Sequence, residues 1–222
     1  MTGKATTIYY TLAVVFFFVA AFFIITYATG YKVDITNKNI SKTGIIVVEA
    51  ESEANVEIDD KSLSNGKLVL RDLTPKNYSV KISRDGYHEW TRNIELLPGE
   101  AEIIDDAILF KSDIKPEEYN YKDAEFLKKM ADADGLSVEN NEIYQNGNFV
   151  TRLTKEVQGV SWYSDRRYIS YTYEDKFHII EIDGTNDIAL FDKKSASPAI
   201  FINSGRSVIY ENEGKIYKAD IK

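Results

Sequence analysis

The chain contains no cysteine, and that one absence removes a disulfide framework, thiolate catalysis and cysteine-ligated zinc together. Histidine is almost as scarce: His88 and His178 are the two present, far apart in the sequence. A histidine triad or metal cluster has little to draw on, and both residues read as packing or surface groups. No G-x-S-x-G elbow, P-loop or H-E-x-x-H run occurs, so the common hydrolase, phosphate-binding and zinc-protease signatures are missing. "DADG", Asp132 to Gly135, begins like a calcium loop but lacks the third oxygen ligand and the closing glutamate, so it reads as a turn. Positive charge is also short, with a net charge of −8 and a pI near 5.0. Such a chain repels phosphate backbones, which argues against nucleic-acid binding. No catalytic, cofactor-binding or metal-binding residue is assigned, and no enzymatic activity is expected.

What the sequence does have is apolar residues concentrated at one place. "IYYTLAVVFFFVAAFFIITYA" runs from Ile8 to Ala28, and no charged residue occurs from Ala5 to Tyr31. At ~1.5 Å per residue this uncharged run makes a helix of roughly 40 Å, longer than the ~30 Å hydrocarbon core. It holds twelve Leu, Ile, Val or Phe residues, so insertion gains roughly 4 to 7 kcal/mol before polar groups are counted. Tyr9, Tyr10, Tyr27 and Tyr31 stand near its ends, where amphipathic rings anchor at the interface. A signal peptide has a shorter apolar region, although Thr26 and Ala28 would suit a cleavage site. A soluble core helix would show polar periodicity, which is absent. Residues 1–30 are therefore read as an uncleaved transmembrane anchor.

Orientation is less direct. Lys4 and the amino terminus precede the span, whereas Lys32, Lys38 and Lys42 follow it, offset by Asp34. That bias alone puts the C-terminal side in the cytoplasm. Long domains, however, translocate largely regardless of charge. The lack of cysteine and the acidic balance suit an exposed compartment. The C-terminal domains are expected outside the cytoplasmic membrane, with a cytoplasm-facing scaffold as the alternative.

Residues 31–43 are polar, without sustained periodicity, and read as a spacer. From Ile45 onward short alternating runs appear: "IIVVEAES", "NVEID", "KLVLRDL", "YSVKIS", "WTRNIEL" and "EAEIIDDAILF". Val56 and Ile58, Leu68 and Leu70, then Tyr78, Val80 and Ile82 alternate with polar neighbours, as half-buried strands do. "SNG", "TPKN", "RDG" and "LPGE" between them carry turn residues. Residues 44–110 are read as a small antiparallel β-sandwich.

The order "SEANVEID", "LRDLTPKNYSVKISRDGYHEW", "IELLPGE" resembles a PEGA domain, a small β-module of bacterial and archaeal surface proteins. Ala54, Val56, Ile58, Asp59, Leu73, Pro75, Tyr78, Val80, Gly86, Tyr87 and Trp90 fit the family's pattern. Asp60, Lys76 and Asn77 depart from it, standing where glycine or small turn residues are usual, and "SE" replaces the initial Pro-x-Gly. The resemblance implies structural roles: Gly86 supplies a turn closed to residues with a Cβ, and Tyr87 with Trp90 packs the sheet. The functional alternative makes Tyr87, His88 and Trp90 a stacking platform for sugar rings.

Residues 111–133 are charged and read as a linker with a short helix, in which Phe126 and Met130 fall at i and i+4 after Pro116. Beyond it the chain repeats itself. "WYSDRRYISYTYEDKFHIIEI" from Trp162 is echoed by "FINSGRSVIYENEGKIYKADI" from Phe201, a shift of 39 residues without a gap. Arg167 meets Arg206, Tyr171 meets Tyr210, His178 meets Tyr217 and Ile182 meets Ile221. An earlier partial copy spans Gly135 to Thr154, with Gly147 and Leu153 echoing Gly184 and Leu190. A period near 40 with three or four strands is that of a β-propeller blade. The Trp-x-Ser-Asp start resembles a TolB-like blade, with Arg166 where that pattern has glycine and with its proline absent. Residues 134–222 are thus expected to form incomplete propeller-like repeats. Closed propellers need about four to eight blades, so the expectation is a shortened piece of a longer protein, or closure by association.

The fold class expected is mainly β: an N-terminal transmembrane helix, a PEGA-like sandwich, then partial blades. The function expected is that of a membrane-anchored binding or structural protein of the cell envelope. Its partners would be the membrane, other envelope proteins, and cell-wall or surface-layer glycan, with no cofactor. The alternative from another class is a fragment of a larger envelope enzyme whose catalytic part lies elsewhere.

Overall fold

The computed structural model describes residues 2–34, 39–59, 61–120 and 131–222. The fold is mainly β, with one N-terminal apolar helix and several separate sheets, none of which closes into a barrel among the described residues. By compactness the chain divides into two units: residues 1–80 with 93–105, and residues 81–92 with 106–222.

In the first unit, helix α1 covers Thr2–Ala28, and its stretch Thr7–Ala28 is long and apolar enough to cross a bilayer. A soluble core helix would bury these residues, yet Phe16 is 74% and Ile24 66% exposed. Threonine hydroxyls along the helix bond back to its own carbonyls, as an apolar surrounding demands. Thr7 donates to Gly3 O at 2.9 Å, Thr11 to Thr7 O at 3.0 Å, and Thr29 to Ile25 O at 2.7 Å.

Where a spacer is expected, β1 (Tyr31–Asp34) and β2 (Asn39–Lys42) form an antiparallel hairpin. Two four-residue strands are too short for alternation to register in the sequence. Two sheets follow. One has the order β6-β3-β9, built from β3 (Gly44–Val48), β6 (Leu68–Leu73) and β9 (Ala101–Ile104). The other has the order β5-β4-β7-β8, from β4 (Asn55–Ile58), β5 (Lys61–Asn65), β7 (Lys76–Ser83) and β8 (Trp90–Leu96), of which residues 81–83 and 90–92 count with the second unit. Burial alternates along both: Ile46 and Val48, Val56 and Ile58, Tyr78 and Val80, Ile94 and Leu96 are buried, as inner sandwich faces require. The antiparallel expectation holds for β3 with β6 and for β4 with β5. β9 lies parallel to β3, with Ile45 opposite Ala101 and Val48 opposite Ile104. Because β9 joins β3 only after the whole second sheet has been laid down, nothing local sets its direction.

In the second unit, β10 (Glu117–Glu118) precedes three consecutive sheets. The first holds β11 (Leu136–Glu139), β12 (Glu142–Gln145) and β13 (Asn148–Arg152). The second holds β14 (Gln158–Trp162), β15 (Tyr168–Tyr173), β16 (Lys176–Glu181) and β17 (Ile188–Asp192), in that order. The third holds β18 (Ile200–Ile202), β19 (Ser207–Asn212) and β20 (Lys215–Asp220), with β10 added beside β20. β10 thus takes, in the third sheet, the place that β17 has in the second. It falls within the segment expected to be a linker; the helix expected around Phe126 and Met130 lies outside the described residues.

The middle sheet is buried on both faces, which is why β15 reads as Tyr-Ile-Ser-Tyr-Thr-Tyr without polar alternation. Tyr168, Phe177 and Ile179 face a cluster with Val208, Tyr210 and Phe110. Ile169, Tyr171 and Ile180 face another with Ile143, Val150 and Trp162. The 39-residue echo is structural: β15 and β16 shifted by that period give the bounds of β19 and β20. The turns correspond as well. Arg166 has φ +58° and Gly205, its equivalent, +81°. A Cβ on Gly205 would lie 2.2 Å from the Tyr163 hydroxyl. Gly205→Ala combines a left-handed backbone with a clash against a buried ring, and is expected to cost about 2–3 kcal/mol. Denaturant unfolding followed by tryptophan fluorescence checks this, because Trp90 and Trp162 both belong to this unit.

Candidate functional site

The aromatic segment Tyr87 to Trp90 follows the turn at Gly86 and leads into β8. Gly86, at φ +79°, closes the expected turn, with Tyr87 N–H donating to Arg84 O at 3.1 Å. The turn is held from beneath: His88 N–H donates to Phe110 O at 2.8 Å, and Ser112 N–H to Gly86 O at 2.9 Å. Tyr87 is half-buried, with the Arg84 guanidinium 4.6 Å from its ring centre. His88 is half-buried, and burial pushes its pKa down, which keeps the imidazole neutral at pH 7. Trp90 is 1% exposed. The three residues therefore present no continuous open ring surface, since the largest ring is enclosed.

What encloses Trp90 is a cluster of charged groups that sequence patterns did not single out. Its indole N–H donates to Glu181 Oε1, and the Arg92 guanidinium sits 4.7 Å over its ring. Glu181, 4% exposed, also accepts from Tyr168 OH at 2.9 Å, Arg92 Nη2 at 2.8 Å and Asn186 Nδ2 at 3.3 Å. Arg92 binds Asp106 in a two-pronged contact, both bonds at 3.0 Å. Burial alone would lower the pKa of Arg92, but the bonds to Asp106 and Glu181 outweigh it and raise the value further. Burial and the Glu181 charge likewise push the Tyr168 hydroxyl up. Asn186 completes the cluster by pairing with the Thr91 backbone as a strand would, N–H to Oδ1 and Nδ2 to O, both at 3.0 Å. Every member is committed to a partner, and the arrangement is that of a clasp.

The remaining candidates resolve similarly. His178 is bonded to Asp187 at 3.0 Å and stacks on Tyr171 with ring centres 5.1 Å apart. In the "DADG" turn Asp132 takes the Arg166 guanidinium, 2.8 Å from Nε, so its carboxylate neutralises a cation of the protein itself. Among the described residues no group of three His, Asp or Glu side chains could hold a metal ion.

With the fold in place, comparison with known families is decisive for one segment. Residues 43–105 match the PEGA domain. The match takes in both sheets of the sandwich and covers little more than a quarter of the chain. No curated protein matches the chain. Of the PEGA departures noted in the sequence, Lys76 has a local explanation, while Asp60 lies outside the described residues. Asp59 adopts φ +50°, and Lys76 Nζ binds its Oδ2 at 2.5 Å while Ser79 N–H donates to Oδ1 at 3.2 Å. These contacts, the Lys76 bond first, hold the Asp59 carboxyl below its usual range. Lysine at the turn thus stabilises the strained residue across from it. Tyr78 OH reaches back to Thr74 O at 2.8 Å, tying Pro75 into the entrance of β7. Arg92 and Glu181 could have been suspected only as an isolated arginine and a carboxylate in an apolar run; their pairing spans most of the second unit's sequence.

Proposed function

We propose that this chain is a single-pass protein of the cell envelope whose helix α1 anchors a PEGA domain and a set of β-sheet repeats on the outer side of the cytoplasmic membrane. The observation that carries this reading is the PEGA match beginning at residue 43, one short hairpin after an apolar helix able to span a bilayer. PEGA modules belong to surface-associated proteins, and α1 offers such a module an anchor. In this reading the three consecutive sheets, with their repeat of 37 to 39 residues and sequential antiparallel order, are propeller-type blades. The protein then acts by binding, to other envelope proteins or to glycan, and performs no reaction. The clasp around Glu181 serves this by fixing the 81–92 hairpin, so that the loops of the unit present a constant surface.

Protease shielding on intact cells bearing a C-terminal epitope tag tests the reading. External protease is expected to remove the tag while a cytoplasmic control survives, and the mass of the retained membrane fragment should include α1. Survival of the tag until the membrane is broken would instead support the orientation favoured by Lys32, Lys38 and Lys42. A mature chain beginning after Ala28 would identify α1 as a signal peptide.

A further inference from the structure

Strand β6 carries one residue more than β3 beside it. Leu70 stands opposite Ile46 and Leu73 opposite Gly44, so Arg71 and Asp72 together stand opposite Ile45. Neighbours on a regular strand point to opposite faces, whereas both of these are exposed, with Asp72 at φ +57°. Such bulges re-aim side chains. This one brings a guanidinium and a carboxylate into a single cleft of about 280 Å³, which Lys42 and Glu100 also line.

The cleft is tied to the end of the apolar helix, and all of its lining belongs to the first unit. Gly30, two residues beyond α1, forms part of its wall. Gly30 O accepts from Thr43 N–H at 2.8 Å and from the Thr43 hydroxyl at 2.9 Å. Lys42 lies along the backbone at Gly99, where a Cβ would come 2.7 Å from its Cδ and 3.0 Å from its Nζ. Glycine at that position leaves the lysine room to reach the cleft. Other charges of the sandwich are paired, Lys67 with Glu49 and Lys76 with Asp59. Among the described residues, none of the Lys42, Arg71, Asp72 and Glu100 side chains makes a hydrogen bond or ion pair. Two cations and two carboxylates thus line one cleft without neutralising one another. A purely anionic group would meet the carboxylates and a purely cationic one the lysine and arginine; a group carrying both charges complements all four.

The place of the cleft narrows the class of ligand. At ~1.5 Å per residue the 27 residues of α1 already cross the hydrocarbon core, so in a bilayer a cleft that begins two residues past the helix lies at the level of the headgroups. Lysine and arginine at that level attract lipid phosphate. We infer that the cleft holds one zwitterionic phospholipid headgroup, phosphoethanolamine, with its phosphate against Arg71 and Lys42 and its ammonium against Asp72 and Glu100. The inference rests on α1 as an anchor and is indifferent to which side the domains face.

The test is the full chain in nanodiscs of equal phosphatidylethanolamine and phosphatidylglycerol, with native mass spectrometry identifying the lipid that stays on the chain when the disc is dissociated. One phosphatidylethanolamine is expected to be retained in preference to phosphatidylglycerol. Arg71→Gln and Lys42→Gln should each lower that retention about tenfold, the effect of one charge-assisted hydrogen bond. Asp72→Asn combined with Glu100→Gln should reverse the preference toward phosphatidylglycerol, which a merely structural role would not do; asparagine tolerates the left-handed backbone of Asp72. Lys67→Gln, outside the cleft, should leave retention unchanged, and unaltered melting by circular dichroism should show that the variants fold. Equal retention of both lipids by the wild type, or retention indifferent to Arg71→Gln, would overturn the inference. A chain that stays out of the discs would defeat the anchor and this inference with it, whereas a chain that inserts without preference defeats this inference alone.

Discussion

Replacing Glu181 by leucine is expected to lower the stability of the second unit by about 3–5 kcal/mol, the cost of removing one partner from a buried charged cluster. The loss does not come from one ion pair. Trp90 Nε1, Tyr168 OH, Arg92 and Asn186 all donate to this carboxylate. Without it, Arg92 keeps Asp106 and the Tyr168 hydroxyl keeps a long 3.4 Å bond to Asp106 O, but the indole is left as a buried donor lacking an acceptor. Trp90 is the reporter: its emission should shift as its N–H loses its partner, and the midpoint of denaturant unfolding should fall. Arg92→Met is expected to cost less, because the Glu181 carboxylate retains three donors. Equal stability of the Glu181→Leu and wild-type chains would show that the cluster contributes specificity of packing and not stability.

The second large effect is a dependence on pH from Lys193. This residue is 0% exposed, and its ammonium is held by Thr172 Oγ1 at 2.7 Å, Ser195 O at 2.5 Å and Ser197 O at 2.7 Å. Burial pushes its pKa down to about 8, opposed by the charge of Glu211. Glu211 in turn accepts from the Ser195 and Ser197 hydroxyls and from Gly214 N–H, so lysine and glutamate clamp opposite sides of the 193–199 loop. The unfolded chain holds the Lys193 proton up to about pH 10.5, whereas the folded chain releases it near 8. Between those values the unfolded state binds more protons, and stability rises with pH. The gain between pH 8 and 9.5 should be about 1.5 kcal/mol. Above about pH 10 the trend reverses: unfolded tyrosines ionise, while burial pushes Tyr163 up to about 12 and raises Tyr168, Tyr171 and Tyr210. Unfolding measured across pH 8 to 9.5 should rise for the wild type and be flat for Lys193→Met. Parallel profiles would assign the slope to other groups.

Much of this architecture is legible along the chain, for reasons that are local. An uncharged apolar run reports a helix long and apolar enough to span a bilayer because insertion depends on composition summed over one helix. Alternation at Val56 and Ile58, or Tyr78, Val80 and Ile82, reports half-buried strands because the side-chain period of a strand is two. The echo from Trp162 to Phe201 marks a repeated unit because equal backbones demand equal turns, with Arg166 and Gly205 both left-handed. Other features had no local signal. Lys76 departs from the PEGA pattern yet pairs with Asp59 across a strand turn. β10 is two residues long, and becomes a strand only because the edge of β20 is there to receive it.

The sequence alone therefore determined the helix, the PEGA sandwich, the period of the repeats and the exclusion of thiol chemistry, since each follows from residue type or spacing. Tertiary structure decided which carboxylate is buried and which is exposed. Glu181 and Asp220 are equivalent in the repeat, and their surroundings differ because Trp90 and Arg92 come from a hairpin some ninety residues before Glu181. The energy of a charge depends on the dielectric and partners that folding places around it, and no spacing along the chain encodes those.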